Sequence, residues 1–374
     1  MTNNSLSSLT MNAITKRQPR VELSTSALQH NLKRVRELAP QSKVICMVKA
    51  DAYGHGIEFA LNALQDTDAF GVACIEEARQ IRQLGCPKPI TLIEGVFNEA
   101  EWLEASQQQF ECVVHQQQQV EWVLAHPQIY QQNNLKIWLK LNSGMNRLGL
   151  QPDELMSAAL KLRASGFDLV LTMHFANADV PDHPLNQQQI QNFLHLKQQL
   201  EPVEASCCNS AAIFNWPELH FDYVRPGIML YGASPYDNIS AAKLDLRAVM
   251  HLKSNLIAIQ HVKADQVIGY GSRFTTTRPT RLGIVAMGYG DGYPRALTHG
   301  AYVSIHGHEA PLLGRVSMDL LAVDLTDLPS TINIGDEVTL WGDNPSVDLI
   351  AQHNNTIGYE LLCRLTNRPK RIIF

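Results

Sequence analysis

The first candidate for covalent chemistry is a lysine that directly follows an apolar segment. Lys49 comes after the run Val44–Val48 and precedes the residues Ala-Asp-Ala-Tyr-Gly-His-Gly. Partial burial at a strand end lowers the pKa of a lysine, which favours attack on a carbonyl group and Schiff-base formation. Gly54 and Gly56 would let the backbone turn tightly around a ligand. A lysine that lays its stem on the strand end and extends its ammonium into solvent has the same pattern, so both interpretations remain open.

Arg147 and His174 follow two later apolar segments. Arg147 stands in the segment Lys140-Leu-Asn-Ser-Gly-Met-Asn-Arg-Leu-Gly149, and its planar guanidinium suits bidentate binding of a substrate carboxylate. A surface cation is the alternative. His174 lies in the segment Met173–Asp179, where a histidine and an aspartate raise the question of a metal site. No second ligand motif such as His-Glu-x-x-His accompanies them, so a hydrogen-bonded core histidine is the simpler interpretation.

Two further segments, around residues 208–212 and 224–228, could bind an anion. Ser210 follows Asn209 at a predicted helix start, so its hydroxyl and the free backbone N–H groups could donate hydrogen bonds to a phosphate. An N-cap serine has the same pattern, and the two roles can coexist. Arg225 precedes Gly227 and Ile228, and a buried arginine salt bridge is its structural interpretation.

Three motifs beyond residue 280 carry tyrosine or methionine next to glycine or arginine. The run Ala286–Arg295 looks like a phosphate loop, but it is not Gly-x-Gly-x-x-Gly, and Pro294 argues against a dinucleotide-binding helix. It contains Tyr289, and a β-turn is the simple interpretation. Met318 in Arg-Val-Ser-Met-Asp and Tyr359 in Gly-Tyr-Glu are, as isolated residues, more typical of core or turn positions.

The elements that must position these residues alternate between short apolar runs and helical patterns up to about residue 250. Ile75, Ala78, Ile81 and Leu84 are one example of a helical face, closed by Gly85. Eight such strands over roughly 230–250 residues predict an α/β fold, a (β/α)8 TIM-type barrel. A doubly wound open sheet remains possible, because periodicity does not show closure. The predicted strands are Val44–Val48, Ala69–Ala73, Ile90–Ile93, Cys112–Val114, Lys136–Leu141, Leu169–Met173, Ala205–Cys208 and Tyr223–Arg225.

The pattern changes after about residue 250. Segments such as LIAIQHV, RLGIVAMG and EVTLWG carry β-branched and aromatic residues between Gly, Asp and Pro turns, which predicts a β-rich second domain. We therefore divide the chain into a flexible N-terminal tail (1–19), a barrel (20–250) and a C-terminal β-rich domain (251–374).

Composition excludes several classes of function. The 374 residues are 45% hydrophobic and 18% charged, which is enough apolar material for a large core. The net charge of −5 argues against a nucleic-acid-binding surface, and no apolar run approaches the length of a membrane span. The first twenty residues lack the apolar core of a signal peptide, and seven scattered cysteines do not form a disulfide framework. A reducing cytoplasm is the expected location.

The segment KADAYGHG (residues 49–56) resembles the pyridoxal-phosphate lysine motif of the alanine racemase family. The resemblance runs from about residue 20 to the C-terminus and includes the motifs around residues 140–149, 173–179, 208–212, 224–228, 286–295, 315–319 and 358–360, in the family's order. One departure is Ser206, where some members have histidine. The resemblance implies a barrel followed by a β domain, with pyridoxal 5′-phosphate as cofactor and no metal.

The resemblance also implies roles for single residues. Lys49 would hold the cofactor as a Schiff base, Tyr53 would bind its phosphate, and Arg225 would face the pyridine nitrogen. Arg147 and the Met318 N–H would bind the substrate carboxylate, and Lys140 would be carbamylated so that it positions Arg147. Tyr359 would narrow the site entrance. The full set of implied cofactor-binding residues is Lys49, Tyr53, His174, Asn209, Ser210, Arg225, Gly227, Ile228 and Tyr359.

The function implied is racemisation of alanine by two bases, supplying D-alanine for bacterial peptidoglycan. Lys49 would serve the D-alanine side and Tyr289 the L-alanine side, with Tyr289 and Met318 reaching the site from the partner chain of a head-to-tail homodimer. Two alternatives stay open. A non-catalytic pyridoxal-phosphate carrier would need no β domain, and an amino-acid decarboxylase of similar architecture would favour an acidic partner for the ring nitrogen over Arg225.

Overall fold

The computed structural model describes residues 17–128, 133–296 and 300–374. The predicted N-terminal tail lies outside the described residues up to residue 16. None of the helices in the described ranges combines the length and the apolar composition that crossing a membrane requires.

The first large unit is a parallel barrel. Its strands pair in parallel in chain order, and the last strand pairs with the first, through Lys43 with Tyr223 and Val44 with Val224. The remaining seam closes where the Arg225 N–H donates to the Cys208 carbonyl at 2.9 Å. The predicted (β/α)8 barrel is confirmed, and the open doubly wound sheet is excluded. The strands are β2 (Lys43–Met47), β3 (Ala69–Val72), β4 (Ile90–Leu92), β5 (Phe110–Val114), β6 (Ile137–Lys140), β7 (Leu169–Thr172), β8 (Glu204–Ser206) and β9 (Tyr223–Val224).

Amphipathic helices cover the outside of the barrel. In the helix Ile75–Gln83, residues Ile75, Ala78 and Ile81 are fully buried as predicted, whereas Leu84 lies beyond the helix end and is exposed. Gly85 then turns the chain with a φ of 80°. The helices of this unit are α1 (Thr25–Leu38), α2 (Ile57–Ala63), α3 (Ile75–Gln83), α4 (Glu99–Gln107), α5 (Gln117–Ala125), α6 (Pro152–Ala164), α7 (Pro184–Gln199) and α8 (Ser210–Asn215). Short 3-10 turns span Pro217–Leu219, Ile228–Tyr231 and Ala241–Leu244.

The C-terminal unit is β-rich, as predicted, and is mostly antiparallel. Its main sheet has the order β13-β16-β15-β14-β17-β10-β1-β18, with β10 also paired to β13. The strands are β10 (Met250–Val262), β11 (Val267–Ile268), β12 (Phe274–Thr275), β13 (Thr280–Val285), β14 (Tyr302–Ile305), β15 (His308–Leu313), β16 (Leu321–Asp324), β17 (Glu337–Trp341) and β18 (Lys370–Ile373). Two helices, α9 (Val347–His353) and α10 (Gly358–Cys363), and two 3-10 turns, Tyr270–Ser272 and Tyr289–Asp291, complete it.

The first strand of the chain, β1 (Arg20–Leu23), belongs to this second sheet. It pairs antiparallel with β10 and parallel with β18, so residues 20–23 are not part of the barrel to which the sequence division assigns them. Val21 and Leu23 point into the core, and Arg20 and Glu22 point outward. Such alternation is typical of a sheet with one solvated face, whereas barrel strands are apolar on both faces.

Candidate active site

A cavity of about 550 Å³ lies at the carboxyl ends of the barrel strands. Tyr289 and Met318 do not line it. Tyr359 lines both this cavity and a neighbouring one of about 260 Å³, so its ring lies between the two. Of the predicted site residues, the cavity brings together Lys49, Tyr53, Lys140, Arg147, His174, Asn209, Ser210, Arg225, Gly227, Ile228 and Tyr359.

The backbone that follows Lys49 forms a left-handed turn, Lys49–Tyr53. Ala50, Asp51 and Ala52 each have φ 53° and ψ 51°, and Tyr53 has φ 54°. This conformation costs L-residues about 1–2 kcal/mol each, and such strain is concentrated at functional sites. At Gly54 an added Cβ would lie 2.1 Å from the Leu362 carbonyl, so this position requires glycine. The turn directs both Lys49 and Tyr53 into the cavity.

A small cradle of hydroxyl groups lies beneath Tyr53. A Cβ added at Gly227 would come within 2.5 Å of the Tyr53 hydroxyl, so glycine leaves this space open. The Ser210 hydroxyl accepts the Gly227 N–H at 2.9 Å. Burial raises the pKa of Tyr53, which keeps its hydroxyl protonated and able to donate. Hydroxyl and backbone donors around an open space fit a phosphate group.

Arg225 is buried and is bound by neutral acceptors. Its Nη1 donates to the Ser206 hydroxyl at 2.5 Å and to the Thr172 hydroxyl at 3.2 Å, and its Nη2 donates to the Met173 carbonyl at 2.6 Å. Burial lowers the pKa of Arg225, but a guanidinium still stays charged at neutral pH. Ser206, where some family members have histidine, is therefore a hydrogen-bond partner that orients Arg225.

Burial and neighbouring cations lower the pKa of both Lys140 and His174. Lys140 is 7% exposed, and burial together with the positive charges of Arg225 and Arg147 lowers its pKa to about 8. Burial and the Arg225 charge also hold the pKa of His174 well below its usual range, so His174 is uncharged at neutral pH. Across the described ranges, no group of three or more His, Cys, Asp or Glu side chains is arranged to hold a metal ion.

The sequence did not single out Glu94, which lies two residues beyond β4. Its Oε1 is 3.9 Å from the Lys49 Nζ. Its position just after a barrel strand was the available signal, because every strand end faces the same mouth. Among the described residues that line the cavity, Glu94 is the one carboxylate, against four cations, Lys49, Lys140, Arg147 and Arg225. A site with this charge suits a ligand that carries several negative charges.

Tyr289 and Met318 lie on an exposed part of the C-terminal unit, which we call the aromatic face (Tyr270, Tyr289 and Met318). Their exposed fractions are 69%, 40% and 54%. The Tyr289 N–H donates to the Ser317 carbonyl at 3.1 Å, so Tyr289 and Met318 are neighbours. Arg315 lies close to Tyr270, with its Nη1 3.3 Å from the Cβ position of Gly271. Tyr270 was missed, although the flanking Gly269 and Gly271 signal an exposed turn.

Comparisons with known proteins agree with this geometry. Residues 23–235 match the model of the alanine racemase N-terminal domain, and residues 249–373 match that of the C-terminal domain. An alanine racemase of Psychrobacter sp. is 49% identical over 95% of this chain and 99% of its own length. The structure of alanine racemase from Acinetobacter baumannii has a TM-score of 0.94 and 53% identity, and covers 96% of this chain and 100% of its own.

A more distant structure shows a ligand. The alanine racemase from Bartonella henselae, described with covalently bound pyridoxal phosphate, has a TM-score of 0.85 and 28% identity, and covers 96% of this chain and 99% of its own. Both domain models together span nearly the whole described chain, in the order that the fold shows. The chain therefore belongs to the alanine racemase family of amino-acid isomerases.

Proposed function

We propose that this protein interconverts L-alanine and D-alanine with pyridoxal 5′-phosphate as cofactor. The observation that carries the proposal is the cavity at the barrel mouth, which sets four cations against one carboxylate beside a hydroxyl-lined cradle. A cofactor phosphate and a substrate carboxylate together supply the negative charge that such a cavity needs.

The residues of the cavity fit this cofactor. Lys49 would bind it covalently, Tyr53, Ser210 and the backbone at Gly227 and Ile228 would hold its phosphate, and Arg225 would face its ring nitrogen. Asn209, His174 and Tyr359 would line the remaining space. When bound, pyridoxal phosphate withdraws electrons from the substrate and acidifies its α-hydrogen.

Arg225 would reduce the electron withdrawal by the cofactor ring. Because the guanidinium stays protonated, Arg225 would donate a hydrogen bond to the ring nitrogen of the bound cofactor and would leave that nitrogen without a proton. A cofactor held in this way would be a weaker electron sink, which would favour return of the Cα proton over side reactions. A decarboxylase would favour an acidic residue at this position. The hydrogen bonds from Arg225 to Ser206, Thr172 and Met173 hold the guanidinium on the cavity wall. An arginine fixed at this position supports the racemase over the decarboxylase.

Lys140 is proposed to carry a carbamate. Its lowered pKa of about 8 leaves a fraction of the amine neutral at neutral pH, and a neutral amine attacks carbon dioxide. The ammonium first loses one proton, and formation of the carbon–nitrogen bond with carbon dioxide releases a second, so that a buried cation becomes an anion. That anion would offset Arg147 and Arg225 and would orient the Arg147 fork toward a substrate carboxylate.

Racemisation requires a second base on the face of Cα opposite Lys49. Tyr289 is the predicted base, and the aromatic face offers Tyr270 as another. Neither lines the cavity of its own chain, so we propose that the tyrosine comes from the partner chain of a homodimer, together with the Met318 N–H. The large exposed fractions of the aromatic face support an interface there.

Charge favours Tyr270 over Tyr289 as that base. A phenol becomes a useful base when a nearby cation lowers its pKa. Arg315, beside Tyr270, forms no ion pair with any described residue. Arg368, beside Gly290, is balanced by Asp319 at 2.6 Å. The Arg315 charge is therefore available to a base at Tyr270, and Tyr289 stays the base that the resemblance predicts.

Incubation of the purified protein with L-alanine, followed by chiral chromatography, tests the function. We expect D-alanine to accumulate until both enantiomers are equal. Release of carbon dioxide would indicate a decarboxylase, and cofactor binding without turnover would indicate a carrier. Either outcome contradicts the racemase proposal.

We further propose that the product serves bacterial peptidoglycan synthesis and that the protein acts in the cytoplasm. Membership of the family supports this role. Expression of the chain in a bacterium that lacks its own racemases should remove the need for added D-alanine. Continued dependence on D-alanine, with active protein present in the cells, would contradict the proposed role.

A further inference from the structure

His55 is fully buried and lies next to the left-handed turn. Its Nδ1 is 3.1 Å from the Ala52 carbonyl oxygen and 3.0 Å from the Tyr53 carbonyl oxygen. Both partners are acceptors, so Nδ1 must carry the proton and donate. Burial lowers the pKa of His55 to about 4, and the ring is therefore neutral at physiological pH.

The Tyr53 carbonyl is the one that depends on this donor, because the Ala52 carbonyl already accepts the backbone N–H of His55 at 3.1 Å. Gly54 and Gly56, with φ values of 80° and 96°, redirect the chain into α2. The backbone N–H of Ile57, four residues after Tyr53, donates to the Asp51 carboxylate at 2.8 Å instead, and a buried carbonyl without a donor is costly. The imidazole N–H of His55 meets this need at the Tyr53 carbonyl.

His55 also fixes the ring of Tyr53 through a stack of aromatic rings. The His55 and Tyr231 ring centroids are 4.6 Å apart, and those of Tyr231 and Tyr53 are 4.8 Å apart. The Tyr231 hydroxyl donates to the Met47 carbonyl at 2.9 Å, which ties the stack to the end of β2. His55 thus acts on Tyr53 from two sides, at its backbone and at its ring.

Burial of the other ring nitrogen of His55 has a free-energy cost. His55 Nε2 is buried and has no hydrogen-bond partner among the described residues. An apolar ring would fill the same space without leaving a polar atom unpaired. The histidine is thus explained by what Nδ1 does, rather than by core packing.

We infer that His55 is a positioning residue for the cofactor phosphate: it holds the left-handed turn so that the Tyr53 hydroxyl reaches the cradle at Gly227 and Ser210. The inference rests on the proposed function, since it concerns how pyridoxal phosphate binds. It goes beyond that proposal because His55 does not line the cavity and acts only through Tyr53.

Affinity for two forms of the cofactor tests this role. The protein without cofactor is titrated with pyridoxal phosphate and with pyridoxal, which lacks the phosphate, and the ratio of the two affinities is measured. In His55→Phe the ratio should fall at least about tenfold. This is the loss expected when the charge-assisted hydrogen bond from the Tyr53 hydroxyl to the phosphate is weakened. In His55→Asn the side-chain amide replaces the Nδ1–H donor, and the ratio should stay within about threefold of the wild type.

A core variant far from the turn separates positioning from general stability. Leu155→Ala removes a buried side chain on α6 and should lower the unfolding temperature without changing the affinity ratio. If His55→Phe does not fold, His55→Gln, which moves the amide away from the Nδ1 position, takes its place and should lose the phosphate preference that His55→Asn keeps.

The possible results separate the role of His55 from the proposed function of the protein. If the wild type prefers pyridoxal phosphate and His55→Phe, or His55→Gln in its place, keeps that preference, His55 is a core residue only and the proposed function stands. If the wild type binds neither compound, the proposed function fails, and the role of His55 fails with it.

Discussion

The mouth of the barrel and the aromatic face of the C-terminal unit hold their functional side chains in opposite ways. At the mouth, Arg225 and Lys140 are buried, and the turn after Lys49 is locked in a strained conformation. On the aromatic face, Tyr270 and Met318 are more than half exposed. The mouth takes its geometry from contacts within the chain, while the aromatic face presents reactive groups to solvent.

This difference indicates which parts of the proposed active site one chain supplies and which parts need a second copy. Buried cations at the mouth have their geometry set by contacts inside the barrel, such as the three hydrogen bonds of Arg225. Tyr270 and Tyr289 do not line the cavity at the mouth of their own chain. A second copy of the chain would supply such a cavity and exclude water from it.

Replacing Lys49 by alanine should have the largest effect, because it removes both the covalent anchor and one base. We expect racemisation to fall by at least about three orders of magnitude, with no borohydride-stable attachment of cofactor. The free energy of unfolding should change by less than about 1 kcal/mol, since the pair with Glu94 is half exposed.

Lys43→Ala is the matched control for this variant. Lys43 lies at the opposite end of β2, away from the mouth, and its loss should leave activity unchanged. Covalent capture of cofactor by the Lys49→Ala protein would show that another lysine is the anchor.

A tyrosine exchange test addresses the aromatic face and the composite site together. The variant that lacks the true base, Tyr270→Phe on our proposal, should lose about 10²–10⁴-fold in racemisation. In D₂O it should still exchange the α-hydrogen of D-alanine through Lys49 but not that of L-alanine. Tyr289→Phe should keep both exchanges.

Mixing subunits then shows whether the site is shared. Lys49→Ala and Tyr270→Phe proteins are each inactive, but a mixed dimer has one intact site. Random exchange should restore about a quarter of wild-type activity, because half of the dimers are mixed and half of their sites are intact. No recovery after proven exchange would place the whole site within one chain.

Because the pKa of Lys140 is lowered, we expect the free energy of unfolding to depend on pH and on bicarbonate. A lysine whose pKa falls from 10.5 to about 8 on folding costs roughly 3 kcal/mol while the unfolded chain keeps the proton. In buffer free of carbon dioxide, Lys140→Met should therefore stabilise the protein without cofactor by about that amount below pH 8. The gain should shrink as the pH rises from about 8 to 10.5, because wild-type Lys140 is then neutral in the folded state.

Urea denaturation measures this gain, and Lys161→Met, an exposed site on α6, is the control that should show none. Added bicarbonate should stabilise the wild type but not Lys140→Met. Equal stability of the wild type with and without bicarbonate would contradict carbamylation.

The smallest expected effect is that of Arg147→Lys, since the charge stays and only the fork is lost. The KM for alanine should rise about tenfold while cofactor affinity stays the same. Arg163→Lys, on the outer helix α6, is the control. A change confined to cofactor affinity would rule out the substrate role of Arg147.

Much of the barrel could be predicted from the sequence. All eight predicted strands overlap β2–β9, because strands buried on both faces leave continuous apolar runs. The strand β1 was assigned to the wrong unit, since four residues are too few to show which sheet they join. Lys49, Arg147, His174, Ser210 and Arg225 were predicted because they follow strands, and the family resemblance implied the other predicted cavity residues. Glu94 and Tyr270 carry no motif that separates them from ordinary loop residues.

The sequence by itself determined the order of strands and helices, the placement of Lys49, Arg147 and Arg225 after strands, and the resemblance to a family that the comparisons then showed. Only the tertiary structure decided that the barrel closes, that the chain after Lys49 turns left-handed, and that Lys140 loses its proton near pH 8. The reason is physical. Periodicity and turn preferences are local, whereas burial, summed charge and tolerated strain depend on contacts between residues far apart in the chain.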